Sequence, residues 1–373
     1  MVLKTLEGTD AIVESIQKCR PQIIAGMIEQ PVEKIVKRLE KDCSVHSSAR
    51  ELVAYLKAAA LSGVRSIGIM SGSDLPVCSM ELASIATNHI PLVLLVANRS
   101  SYFPTSFMCD QQGAYQVSSS GWIMLFCSTL QEFVDTLPQA FKVSSATGIP
   151  VMIFVDGFYH THQTTQINIA PQETFDKYLQ EIAIKPVLDF NSRNLDYSII
   201  GEKDYEKRMI IFSSALENVK ERITQAEYQW NDLVERQYGN GLFEGYMLED
   251  ADMVLVCSGS FFGNAHEAAD RQRKMGIKAG VLRIKCFRPF PYEEIGHALE
   301  NKKIGVMERA VSLGSRGMLY LDLLEVVGGL NNARIVGQFA GGIGGTDLNV
   351  KHARLAFEAI AKGEKVREII EGN

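Results

Sequence analysis

Short apolar runs alternate with segments of helical periodicity from Thr9 to about Asp156, and the alternation resumes at Asp252. That rhythm restricts the chain to an α/β class, with mostly parallel sheets flanked by helices, because each apolar run is too short and too uniformly apolar to be a one-sided strand. In the first stretch the strand candidates are Ile23–Ile28, Ser66–Met70, Leu92–Ala97, Trp122–Cys127 and Val151–Val155. Helical patterns fall between them at Val32–Glu40, Ser48–Leu61, Met80–Asn88 and Thr129–Ser145, the last opened by a capping-box sequence, Thr129-Leu-Gln-Glu132. In the second stretch Met253–Cys257, Ala279–Ile284, Lys303–Val306 and Arg334–Val336 read as strands. Asn264–Met275, Tyr292–Leu299, Gly317–Val327 and Val350–Ala361 read as helices.

Between these stretches, from about Thr164 to Tyr246, the pattern breaks into an irregular polar segment and then a long helical one. Leu216, Val219, Ile223, Ala226, Trp230 and Leu233 recur there at spacings of three and four, which predicts a helix laid across the domains or a partner chain. At 373 residues the chain exceeds what one core usually supports. The expected division is 1–165, a helical connector at 166–248, and a second α/β unit at 249–373.

A net charge of -6, with no stretch that interleaves basic and aromatic residues, argues against nucleic acid as a partner. No apolar run approaches the roughly 18 residues that span a bilayer, and the N-terminus lacks the order of a secretory signal. A cytoplasmic protein with no membrane contact is expected. The seven cysteines are scattered, with no Cys-x-x-Cys, so they read as buried structural thiols rather than ligands of an iron–sulfur cluster. No Gly-x-Ser-x-Gly supports a hydrolase.

Two segments carry a resemblance. Pro91-Leu-Val-Leu-Leu-Val-Ala-Asn-Arg99-Ser, followed by Val151-Met-Ile-Phe-Val-Asp156-Gly-Phe-Tyr-His-Thr-His162, resembles the first domain of 2-oxoacid:ferredoxin oxidoreductases. Val254-Leu-Val-Cys-Ser-Gly-Ser260 and Gly280-Val-Leu-Arg-Ile-Lys-Cys-Phe-Arg-Pro-Phe-Pro291 resemble their transketolase-C-terminal-like domain. The resemblance implies a thiamine pyrimidine-binding-type domain followed by that second domain. It also implies the alpha subunit of a multi-subunit complex that decarboxylates a 2-oxoacid on thiamine diphosphate, transfers the acyl group to coenzyme A and reduces ferredoxin. The family's Gly-Asp-Gly…Asn motif is missing. The diphosphate and its Mg²⁺ are therefore expected on a beta subunit, with iron–sulfur clusters on gamma and ferredoxin-like subunits.

Residue by residue, Arg99 matches the family arginine that binds the substrate carboxylate, a role suited to a planar guanidinium that stays charged. Met27-Ile-Glu-Gln-Pro31 stands where the family has Tyr-Pro-Ile-Thr-Pro, which puts Gln30 at the substrate-contacting Thr. The family Glu that hydrogen-bonds the aminopyrimidine ring falls on Ala49, and alanine performs no acid–base work. Glu51 lies roughly 200° around the helix axis from it. His46 and Ser48 approach from the loop side, although Ser47 or Ser48 also serves as a helix N-cap. Ser71-Gly-Ser-Asp74 ends a strand at the sheet's carboxyl edge, where Asp74 would line the cofactor pocket. A non-catalytic paralogue that kept only the assembly surfaces is the alternative. Gly337-Gln-Phe-Ala-Gly-Gly-Ile-Gly-Gly-Thr346 lacks phosphate-loop spacing and reads as a turn or an interface. His160 and His162 follow Asp156 but have no cluster of carboxylates or thiols around them, and they read as a loop at the domain interface.

Overall fold

The computed structural model describes residues 3–180, 200–330, 332–363 and 366–371. Part of the expected connector, 181–199, lies outside the described residues.

The first sheet has seven strands. Their spatial order is Cys286–Arg288, Ile123–Phe126, Val151–Asp156, Val93–Asn98, Ser66–Ser71, Ile23–Met27 and Cys43–His46. All neighbours run parallel except Cys286–Arg288, which is antiparallel to Ile123–Phe126. The three central strands are buried along their whole length because helices cover both faces, which is why they read as unbroken apolar runs. A second, six-stranded sheet runs Val366–Ile370, Arg334–Gly341, Lys303–Glu308, Met253–Ser258, Ala279–Ile284 and Phe243–Tyr246, parallel but for the last strand.

The structure has the alternating core that periodicity predicts and adds short strands that it does not. Lys4–Glu7 and Thr164–Ile167 form an antiparallel pair of their own, the second within the stretch expected to be irregular. Cys43–His46, Phe243–Tyr246, Cys286–Arg288 and Val366–Ile370 are edge strands, as is the nature of such strands: brief, partly polar, and set by a neighbour rather than by local pattern. The helix Gly8–Cys19 also precedes the first strand expected.

Local chemistry fixes the helix ends. Ser48 caps Ala49–Leu61 by accepting the Glu51 N–H, and Thr129 caps Leu130–Thr147 by accepting the Glu132 N–H. The expected capping box is only half made, because the Glu132 carboxylate turns to the N–H and hydroxyl of Ser128 instead of the Thr129 N–H. Gly148 closes that helix in the left-handed conformation at φ 73°.

The long helix Glu202–Val234 lies across Leu130–Thr147, burying Val219, Ile223, Ala226 and Trp230. Trp230 sits between Phe175 and Tyr178 and donates its indole N–H to Asp135. The apolar stripe thus serves this chain's own core. A continuous apolar cluster joins the two sheets, with Tyr115 stacked on Phe287 and Phe126 on Phe154. A buried ionic network reinforces the join. Arg283 from the second sheet and Lys285 just after its strand meet Glu132 at 2.9 and 3.4 Å, and Lys285 also meets Glu227 of the long helix at 2.6 Å. Glu132 is fully buried; burial opposes its charge, but Arg283 and Lys285 prevail and hold its pKa down to about 2. All seven cysteines are buried and unbridged.

Candidate active site

The carboxyl ends of Ile23–Met27, Ser66–Ser71, Val93–Asn98 and Val151–Asp156 open toward one edge of the first sheet, the position where open α/β sheets bind ligands. Arg99 leaves the third of these strands and donates from Nη1 to the Gln30 carbonyl at 3.0 Å, while its guanidinium lies 4.7 Å from the Phe107 ring centre. Gln30 donates its amide to Glu33 at 2.7 Å. Tertiary structure thus brings Arg99 and Gln30, 69 residues apart in sequence, side by side. Each keeps a buried polar atom without a partner, Arg99 Nε and Gln30 Oε1. So does Asn98, whose side chain is nearly inaccessible and whose Oδ1 faces the space left by the missing Cβ of Gly72, at 3.5 Å. Unpaired buried donors and acceptors are costly, and their gathering at one sheet edge matches a site for a polar ligand.

Ala49 and Ser48 lie at the start of the neighbouring helix. Ala49 is buried within the apolar cluster that also holds Met27 and Leu52, so the position holds apolar packing and no acid. The Ser48 hydroxyl is engaged as the N-cap. Glu51 points away to solvent, accepting from the N–H and hydroxyl of Ser47. His46 meets Ser44 and Glu51.

Asp74 lies in the 3₁₀ turn Gly72–Cys78, where Ser73 Oγ donates to it at 3.4 Å. Its other neighbour is Glu29, a residue that sequence reasoning passed over. Glu29 Oε1 accepts the Ser71 N–H at 3.0 Å, and its carboxyl stands against that of Asp74. Burial, then Asp74, push the Glu29 pKa up to about 8 against the opposing pull of the Ser71 N–H and Arg99. The signal was available: an acidic residue at the tip of an apolar strand, two positions beyond it, where the family motif has Ile.

Behind this edge the two sheets are bolted together. Asp156 receives Arg309 Nη1 at 3.0 Å, the Ser260 N–H at 3.0 Å and the Ser260 hydroxyl at 2.5 Å. Burial works against the Asp156 charge, yet Arg309 and its other neighbours hold its pKa well below the carboxylate range. Arg309 follows a strand of the second sheet, and only the tertiary fold reveals its partner. His160 is buried, accepts the Asp156 N–H at Nδ1 and meets the Ser128 carbonyl through Nε2, so it is a structural imidazole kept neutral chiefly by burial. The glycine-rich loop packs on the segment after Arg99, where the Gly344 N–H reaches Asp110 and Ser106 donates to the Gly344 carbonyl. Among the described residues no group of three or more His, Cys, Asp and Glu side chains could hold a metal, and no helix is long and apolar enough to cross a membrane.

Comparison with known proteins bears on this arrangement. Residues 34–229 match the family described as pyruvate flavodoxin/ferredoxin oxidoreductase, thiamine diphosphate-binding, and residues 251–353 match core domain II of pyruvate:ferredoxin oxidoreductase. The chain is 28% identical to pyruvate synthase subunit PorA of Methanosarcina barkeri, over 96% of this chain and 93% of that one. It is 27% identical to ketoisovalerate oxidoreductase subunit VorA of Pyrococcus horikoshii, over 97% and 94%. In fold it is similar to the 2-oxoglutarate:ferredoxin oxidoreductase of Magnetococcus marinus, solved with 2-oxoglutarate, coenzyme A and succinyl-CoA. That match has a TM-score of 0.72 at 15% identity and covers 96% of this chain but 65% of that one. A split-gene transketolase, an inactive beta4 tetramer, matches at a TM-score of 0.53 and 12% identity, over 95% and 96%.

Proposed function

Because this chain belongs to the pyruvate flavodoxin/ferredoxin oxidoreductase family, we propose that it is the alpha subunit of a complex that oxidatively decarboxylates a 2-oxoacid, forms an acyl-CoA and reduces ferredoxin. The observation that carries the reading is Arg99 beside Gln30, each with an unsatisfied buried polar atom at the ligand-binding edge of the sheet. The guanidinium is held from one side by the Gln30 main-chain carbonyl and lies over the Phe107 ring, which leaves its remaining donors for a carboxylate. Gln30 adds an acceptor for a donor on the bound molecule.

Thiamine diphosphate would supply the nucleophilic carbon and the electron sink for decarboxylation. The groups at this edge fit its aminopyrimidine end: the unpartnered acceptor Asn98 Oδ1, the Gly72 backbone without a Cβ, Ser48 and Ala49 at the helix start, and the acids Asp74 and Glu29. The diphosphate, its Mg²⁺ and the iron–sulfur clusters belong on partner beta, gamma and ferredoxin-like subunits. The paralogue reading draws support from Ala49, and the acids beside Arg99 weigh against it.

Thiamine diphosphate counted per copy of this chain, in the complex purified from its native cells, tests the proposal. A value near one supports it, and a value near zero with partner chains present refutes it. In the loaded complex Arg99→Ala is expected to raise KM for the 2-oxoacid by about 10- to 100-fold, the worth of a charge-assisted hydrogen bond.

A further inference from the structure

Ala49 leaves the site without the acid that the family resemblance places on that helix, yet the same sheet edge contains two carboxyl groups from other elements. Glu29 comes from the segment after Ile23–Met27 and Asp74 from the turn after Ser66–Ser71. They face one another, with the Ser71 N–H on Glu29 and the Ser73 hydroxyl on Asp74. Two adjoining carboxylates in a partly buried site cannot both stay ionised, so the pair retains a proton near neutrality. The charged groups facing Glu29 are Asp74 and Arg99, one holding the proton on and the other favouring its release.

A second observation points to a ligand at this place. The nearly inaccessible Asn98 presents Oδ1 without a partner toward Gly72, which lies between Ser71 and Ser73. Arg99 Nε and Gln30 Oε1 are equally unpartnered. The edge therefore offers acceptors, a donor and one transferable proton. An aminopyrimidine has the complementary set: ring nitrogens that accept and an exocyclic amine that donates.

We propose that Glu29, with Asp74 as its positioning partner, is the acid–base group that exchanges a proton with the aminopyrimidine ring, in place of the acid absent at Ala49. The inference rests on the thiamine reading above. Only an O–H bond of Glu29 breaks and an N–H bond on a ring nitrogen forms. The carboxylate left behind keeps the Ser71 N–H and the positive charge of Arg99, and the proton returns by the same path.

Two readouts test it in the purified complex. Infrared difference spectra of the unliganded wild-type complex against Glu29→Gln are expected to show a protonated carboxyl band at neutral pH that fades as the pH passes about 8. With thiamine diphosphate bound, exchange of its thiazolium C2 proton for deuterium is expected to slow at least about 100-fold in Glu29→Gln at retained occupancy. Asp74→Asn removes the opposing charge and should move the pH dependence of exchange to lower pH, an effect a purely structural role would not produce. Glu51→Gln should exchange as wild type does. Wild-type exchange in loaded Glu29→Gln, or no shift in Asp74→Asn, overturns the inference while leaving the proposed function standing. Absence of cofactor from the wild-type complex overturns both.

Discussion

Arg309→Met tests the bolt between the two sheets. Arg309 is 4% exposed and Asp156 1%, so the substitution leaves a carboxylate buried without its cation. Breaking one side of a buried pair costs about 3–5 kcal/mol. Asp156 keeps the N–H and hydroxyl of Ser260 and, at 3.3 Å, the Asn98 amide, which places the expected loss at the lower end, about 3 kcal/mol. At a denaturant slope of about 3 kcal/mol/M the urea midpoint of the full chain should fall by about 1 M, followed by the fluorescence of Trp122 and Trp230. The sign of the pH dependence follows from the lowered native pKa of Asp156. In the wild type its contribution is complete above the unfolded value of about 3.9 and is lost as the pH falls through the native value. In the variant, burial without Arg309 raises that native value, and protonation relieves the strain. The deficit should therefore be full at pH 7 and shrink toward about pH 5. Adding Asp156→Asn to Arg309→Met should recover at least about 1 kcal/mol. A deficit under about 1 kcal/mol, or one unchanged between the two pH values, would refute the reasoning.

Glu132→Gln takes from the buried Arg283 and Lys285 the anion they share, while Arg283 keeps Glu244 and Lys285 keeps Glu227, so a loss at the lower end for a broken buried pair, about 3 kcal/mol, is expected in urea unfolding. Since burial-opposed pairing with Arg283 and Lys285 holds Glu132 down to about 2, its contribution is present above the unfolded value of about 4.3 and lost as the pH falls through about 2; midpoints measured across that window should fall more steeply in the wild type than in the variant, which keeps only the acid limb of Asp156 and the other lowered carboxylates. Trp230→Ala removes a fully buried indole from between Phe175 and Tyr178. It should cost about 3–5 kcal/mol, with hydrogen exchange rising first along Glu202–Val234. Gly157→Ala would drive a methyl into the Asn98 carbonyl and to within 2.6 Å of Pro31 Cγ, costing about 1–3 kcal/mol in stability. Because Pro31 follows Gln30, KM for the 2-oxoacid should rise in the loaded complex.

What could be read from the sequence is what depends on local order. Unbroken apolar runs such as Val93–Asn98 announce strands buried on both faces, and the spacing of Val219, Ile223, Ala226 and Trp230 announces a helix with one buried stripe, because both periodicities are written along the chain. Thr129 shows itself as a cap for the same reason, while the choice between Ser47 and Ser48 is made by the structure, which uses Ser48. Arg99 stood out because it ends an apolar strand at the position of the family's carboxylate-binding arginine, and Ala49 because it stands where the family has a glutamate and alanine performs no acid–base work. Pairings between distant segments belong to the tertiary structure alone. Cys286–Arg288 becomes a strand only where Ile123–Phe126 offers it an edge. Arg309 finds Asp156 across 153 residues, and Arg283 finds Glu132 across 151, through contacts that no window of sequence contains. Asp74 stood out in the sequence as an acid at the carboxyl edge of the sheet and Glu29 could have been noticed at a strand tip, but nothing along the chain pairs the two. Packing two parallel strands side by side puts their carboxyl groups together in a partly desolvated corner, and burial with that proximity raises the Glu29 pKa.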